Sequence, residues 1–214
     1  MAILEDKIRE QIKTLFEALQ NQVRIVNFTQ EFECAFCRMT REMLEELGHL
    51  SEKITVEVYD FVRDAETVKR YAVDKIPATA LVGEKDYGIR FYGVPAGYEF
   101  TSLIEGIIDV SRRKPNLSQD ILTELAKVDR PVHIQVFVSP TCPYCMFAVR
   151  NAHRFAMASS FITADMVEVT EFPHLVVKYN VQSFPKIVIN ENHALPGLPT
   201  DTEFVRAILN AIAR

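Results

Sequence analysis

Cys34-Ala35-Phe36-Cys37 and Cys142-Pro143-Tyr144-Cys145 decide how this 214-residue chain is read. Together they hold all four of its cysteines. Each pair is followed, 43 residues after its first cysteine, by a proline that heads an apolar stretch. These are Pro77 in Ile76-Pro77-Ala78-Thr79-Ala80 and Pro185 in Phe184-Pro185-Lys186-Ile187-Val188. First cysteine, second cysteine and proline all recur at an offset of 108 residues. One dithiol site is therefore written twice, and the fold is expected to be a repeat.

The flanking patterns repeat too. Ile8, Ile12, Leu15, Phe16 and Leu19 predict an amphipathic helix over residues 4–20 with these side chains inward. Val23–Phe28 reads as a buried strand. The first dithiol opens a helix with Met39, Met43, Leu44 and Leu47 inward, stopped by Gly48. A strand at Ile54–Tyr59, a short helix capped by Asp64, a hairpin after Pro77 and a helix over 99–112 follow. The second half runs in the same order, from a helix capped by Ser118 through a strand at Val132–Val138 to a last helix from Asp201. Val68, Tyr71 and Val73 recur as Val176, Tyr179 and Val181. Past the prolines the offset drops to 104, so that Gly93-Val94-Pro95-Ala96-Gly97 meets Gly197-Leu198-Pro199-Thr200-Asp201. The polar segment Ser111-Arg112-Arg113-Lys114-Pro115-Asn116 separates residues 1–114 from residues 115–214. The fold class is α/β. Strand–helix–strand crossovers and a hairpin predict, for each unit, a mixed sheet of roughly four strands with helices on both faces.

Hydrophobic residues make up 48% of the chain, enough for a core in each unit, and the formal net charge of −5 offers no basic face for nucleic acid. No apolar run reaches the ~18 residues of a membrane span, and the N-terminus does not read as a secretory signal. A cytoplasmic setting is expected. There, cysteines are more often catalytic or metal-binding than structural. Zinc is the competing use of two Cys-x-x-Cys pairs, but 104 residues separate them here, against about 15–20 in zinc ribbons. His49, His133, His153, His174 and His193 show no metal-ligand spacing. Neither a metal nor another cofactor is expected.

Thiol–disulfide exchange needs a thiolate. A free cysteine, with pKa ~8.5, is mostly protonated at neutral pH. A cysteine at a helix N-terminus meets unpaired N–H groups and the positive end of the helix dipole, which lower its pKa. Cys34 and Cys142 are therefore expected to be the nucleophiles. Cys37 and Cys145, nearly one turn on, are the resolving thiols. Pro77 and Pro185 suit cis bonds after Ile76 and Phe184, leaving the preceding backbone free to pair with an extended substrate. Phe36 and Tyr144 are candidates for the same substrate-facing surface. Glu31 and Glu33 read as a solvated acidic loop, and Glu99 and Asp201 as acids at helix starts.

With its Cys-Pro-Tyr-Cys motif, a second Cys-x-x-Cys and the segment from Lys85-Asp86-Tyr87-Gly88 to Gly93-Val94-Pro95-Ala96-Gly97, the chain resembles the glutaredoxin-like protein disulfide oxidoreductases of thermophilic prokaryotes. The resemblance implies two packed thioredoxin-like units, both prolines cis, exchange with protein disulfide and dithiol substrates, and a thioredoxin-reductase-type flavoprotein as electron donor. Departures from thioredoxin and glutaredoxin are plain. The chain has no tryptophan. Asn27 and Val136 stand where thioredoxins bury an aspartate. Pro196-Gly197-Leu198-Pro199 replaces the glycine turn that serves glutathione in glutaredoxins. Two other readings stand beside the leading one. One is an electron-transfer module passing electrons from a flavoprotein to a peroxidase of the peroxiredoxin kind; the other is a thiolate metal-binding protein.

Overall fold

The computed structural model describes residues 3–213. The first half runs α1 (Asp6–Phe16), β1 (Val23–Thr29), α2 (Cys37–Gly48), β2 (Ile54–Asp60), α3 (Ala65–Arg70), β3 (Ala78–Val82), β4 (Asp86–Tyr92) and α4 (Tyr98–Arg112). The second runs α5 (Gln119–Leu125), β5 (Val132–Val138), α6 (Cys145–Ala158), β6 (Ile162–Glu168), α7 (Pro173–Lys178), β7 (Lys186–Ile189), β8 (His193–Pro196) and α8 (Asp201–Ile212). Each half makes one parallel crossover and one antiparallel hairpin: β1 pairs with β2 in parallel and with β3 antiparallel, and β5 does the same with β6 and β7.

The two halves do not keep separate sheets. β4 pairs with β6 in parallel, from Ile89↔Ala164 to Tyr92↔Val167. One eight-stranded sheet results, in the order β2-β1-β3-β4-β6-β5-β7-β8. The repeat predicts two sheets of four strands; the seam fuses them because the outer side of β4 offers a backbone edge to β6, with buried Ile89 and Phe91 in register with Ala164 and Met166. A large core on one face draws on α1, α2, α4, α5, α6 and α8, including Phe16, Leu44, Leu103, Ile107, Val149, Phe155 and Phe204. A smaller core on the other face holds Phe28, Val68, Tyr71, Phe137, Phe172 and Val188 under α3 and α7. Across the seam, the Arg150 guanidinium on α6 donates to Asp109 of α4 at 2.9 Å and also pairs with Glu105.

Local departures have local causes. Ile8 and Leu15 are exposed, and the buried stripe of α1 is Ile12 and Phe16, continued by Leu19. Met39 is 40% exposed, because α2 buries the narrower stripe Cys37, Thr40, Met43, Leu44 and Leu47. Asp64 stands at the N-cap of α3 but makes no cap hydrogen bond; its carboxylate accepts instead from the Asp60 N–H at 2.7 Å. Ser118 caps α5 as expected, accepting from the Ile121 N–H.

Candidate redox-active sites

Each dithiol sits where the chain leaves the C-terminal end of a central strand, β1 or β5, and enters a helix. The helices begin at Cys37 and Cys145, so Cys34 and Cys142 lie just before them. That corrects the expectation that the first cysteine opens the helix. It still leaves each first cysteine beside the unpaired N–H groups of a first turn. Cys34 is bonded to Cys37 and Cys142 to Cys145, with Cα atoms 5.5 Å apart in both pairs. Cys37 and Cys145 are fully buried; Cys34 is half-buried and Cys142 is 9% exposed.

The prolines lie at the same end of the sheet. Ala78 is the register partner of Phe28, and Lys186 of Phe137, so Pro77 and Pro185 stand opposite the last residues of β1 and β5. The Ile76–Pro77 and Phe184–Pro185 bonds are cis. Apolar side chains ring both sites. Phe32, Phe36, Met39 and Val62 are exposed around the first, and Tyr144, Phe147, Phe184 and Leu198 around the second. The acids before Cys34 are not unopposed: Glu31 lies 3.5 Å from Arg41.

The ground beneath the sites differs. Asn27, wholly buried in β1, donates from Nδ2 to the Ala78 carbonyl at 3.0 Å and leaves Oδ1 unpartnered among the described residues. Val136 holds the matching place in β5. The second site instead has a carboxyl from the other half of the chain. Glu99, at the start of α4, is 1% exposed. The Ser102 hydroxyl lies 2.7 Å from Glu99 Oε2 and 3.5 Å from the carbonyl of Met146, the residue after Cys145. On the other side of the dithiol, the Tyr98 N–H donates to the Pro140 carbonyl at 3.3 Å. Glu99 Oε1 has no hydrogen-bond partner among the described residues. Burial pushes its pKa up to about 7, against a lowering hydrogen bond from Ser102.

Residues 132–210 match the thioredoxin-domain family. Over most of its length the chain is similar to two solved structures. One is the AhpF protein of the Enterococcus faecalis alkylhydroperoxide reductase, in a mutant form, with TM-score 0.89 and 26% identity over 96% of this chain and 99% of that one. The other is a protein disulfide oxidoreductase from Aeropyrum pernix, with TM-score 0.89 and 26% identity over 97% of this chain and 94% of that one. The chain shares the tandem thioredoxin-like fold of both. A protein named NADH dehydrogenase from Bacillus subtilis is 25% identical over 88% of this chain but only 34% of its own length. The chain thus spans about a third of the curated relatives it matches.

Glu99 is where sequence and structure part in this chain. The sequence places it at an open helix start; the structure buries it under the other half. A signal is present all the same. At offset 104 Glu99 matches Glu203, which closes a capping box with Thr200. Ala96 occupies the place of Thr200, so Glu99 has no local capping partner and is free for another use.

Proposed function

We propose that this chain catalyses dithiol–disulfide exchange on protein substrates, reducing, oxidising or rearranging them through both Cys-x-x-Cys sites. The observation that carries this reading is the pair of disulfides at the same end of one sheet, each beside a proline segment and an exposed apolar rim. In the reducing direction, the Cys142 thiolate attacks one sulfur of a substrate disulfide. The substrate S–S bond breaks, its second sulfur leaves with the electron pair and takes a proton, and a mixed disulfide forms. Cys145 loses its proton and attacks Cys142. The substrate leaves as a dithiol and Cys142–Cys145 is oxidised by two electrons. Glu99 is the acceptor for the Cys145 proton: its Oε1 is buried without a partner among the described residues, and Ser102 links its carboxyl to the Met146 carbonyl, next in the chain to the buried Cys145. Cys34 and Cys37 take the same roles at the first site, over the neutral Asn27. Ile76, Pro77, Phe184 and Pro185 bind an extended substrate backbone, and Phe36 and Tyr144 contact its side chains.

The units are residues 1–114 and 115–214, and a cytoplasmic setting fits thiols that must cycle. The electron donor is a thioredoxin-reductase-type flavoprotein. Similarity to the F-type component of alkyl hydroperoxide reductase, such as that of Staphylococcus aureus at 24% identity, favours one further reading, delivery of electrons to a peroxidase of the peroxiredoxin kind. The test supplies a flavoprotein reductase and nicotinamide cofactor, then compares a protein disulfide with a peroxiredoxin plus hydroperoxide. Turnover of the protein disulfide, lost when both nucleophilic cysteines are changed to serine, supports the leading reading. Turnover with peroxiredoxin alone replaces it with the second.

A further inference from the structure

The loop Gly93–Gly97 hangs between the two sites. Its Gly93 N–H donates to the Pro77 carbonyl at 2.9 Å, within the proline segment of the first site. Its far end packs on Pro140, and Glu99 follows directly. What holds its middle comes from the other unit: the Val94 N–H donates to Glu171 Oε1 at 2.6 Å. Glu171 is itself set by Glu168, whose carboxylate accepts the Glu171 N–H at 3.0 Å and the Thr170 hydroxyl at 2.5 Å. Glu168 is 2% exposed, and Glu168 Oε1 and Glu171 Oε2 are buried without partners among the described residues. Two neighbouring acids, Glu168 buried and Glu171 half-buried, each with a buried unpartnered oxygen, cost stability.

The repeat supplies an internal control. At offset 104 the second unit has the same loop, with the Gly197 N–H bonded to the Pro185 carbonyl at 2.9 Å, yet nothing among the described residues lies within 4 Å of where a Gly197 Cβ would stand. A Cβ on Gly93 would meet Glu168 Cβ at 2.7 Å and Glu171 Oε1 at 2.8 Å. At offset 108 the first unit has Asp60 and Arg63 in place of Glu168 and Glu171. Asp60 keeps the local turn, accepting the Arg63 N–H at 2.8 Å. The turn therefore needs only the first acid. The second acid is used only to grip the loop of the other unit.

We propose that Glu171 is a positioning residue of the second dithiol site: by holding Val94 it fixes the Gly93–Gly97 loop and, through it, sets the Glu99 carboxyl against Cys145. This rests on the reading of Glu99 as the proton acceptor of Cys145. The charged groups that border the pathway come from three elements. Glu168 faces Glu171 from β6, while Glu105 and Asp109 on α4 are paired with Arg150 of α6. The Glu171 pKa is itself raised to about 7 by burial, with a contribution from Glu168.

The experiment uses the full chain with Cys34→Ser and Cys37→Ser, so that only the second site reports. The rate of disulfide reduction by Cys142 and Cys145 is followed from pH 5 to pH 9 in four proteins: this parent, Glu171→Gln, Glu171→Ala and Glu99→Gln. Gln keeps an oxygen for the Val94 N–H and should leave the profile in place. Ala removes the grip and should move the near-neutral step by about half a pH unit or more, or abolish it. If Ala does not fold, Glu171→Met, which keeps the volume without the acceptor, is measured instead. An unmoved profile in the Ala or Met variant, with Glu99→Gln abolishing the step, overturns the role of Glu171 and leaves Glu99 standing. An unmoved profile in Glu99→Gln overturns both.

Discussion

A thiol that cannot reach water must give its proton to the protein, and that requirement separates the two cysteines of each pair. Cys37 and Cys145 are fully buried, whereas Cys34 is partly open and Cys142 lies at the rim. Changing Cys37 or Cys145 to serine should therefore trap mixed disulfides with substrate through Cys34 or Cys142, detected by mass spectrometry of the adducts. Trapping through Cys37 or Cys145, in proteins carrying Cys34→Ser or Cys142→Ser, would reverse the roles. Glu99 adds a pH dependence of known sign. Its carboxyl is raised from 4.5 to about 7 in the fold, chiefly by burial. A raised pKa means that the folded state holds the proton more tightly. The resulting stability is fully present below pH ~4.5 and is lost as pH rises through about 7. At ~1.4 kcal/mol per unit of pKa the whole effect is on the order of 3 kcal/mol. Glu99→Gln should flatten the fall in unfolding free energy between pH 5 and pH 8 measured by denaturant titration. A fall as steep as in the unaltered protein would mean that other acids, such as Asp109 or Glu171, carry it.

Helix starts show what each element can still bind. α8 closes its own N-terminus: the Glu203 N–H donates to the Thr200 hydroxyl, and the Thr200 N–H donates to the Glu203 carboxylate at 2.9 Å. α4 has its start buried against Pro140. The acids Asp201 and Glu203 at the start of α8 repel an anion there, Pro140 takes the Tyr98 N–H of α4, and the prolines nearby have no N–H to give the carboxylates of glutathione. Under the proposed function, glutathione with its reductase should therefore reduce the two disulfides far more slowly than a flavoprotein dithiol does; equal or faster reduction would sink this reading. The elements themselves are largely legible in the sequence, because their signals are local. Val132–Val138 is apolar enough to declare a central strand, and the spacing of Met43, Leu44 and Leu47 declares the buried face of α2. What escapes depends on a partner distant in sequence. Ile8 and Leu15 share a helical stripe with Ile12, but stay exposed. Asp64 has the chemistry of a cap, but a nearer N–H claims it. The dithiols and prolines are legible because their spacing repeats. The burial of Glu99 is not, because it is created by the other unit.

At the scale of the whole molecule the seam does two things. It aligns the sites: β1, β4, β6 and β5 all run the same way, so both dithiols emerge at one end of the sheet. They are four strand spacings apart, about 19 Å, too far to exchange with one another inside a rigid chain. The seam also distinguishes β4 from its counterpart at the outer edge of the second unit. β8 is the counterpart of β4, but Pro196 stands where Tyr92 does and has no N–H to offer a further strand. Arg63, not an acid, follows β2 where Glu171 follows β6. The cost of breaking the seam can be read by adding one methyl group on either side of the repeat. Gly93 and Gly197 both have positive φ, +90° and +72°. Alanine at either should therefore cost about 1–2 kcal/mol in backbone strain. At Gly197 the methyl enters open space, and that is the whole cost. At Gly93 it meets Glu168 and Glu171 at 2.7 and 2.8 Å, and overpacking adds about 1–3 kcal/mol. Gly93→Ala should be the less stable variant in urea by at least ~1 kcal/mol. Equal losses at the two glycines would show that the carboxylate pair gives way freely, and that the seam is held by the β4–β6 ladder and the α4–α6 contact alone.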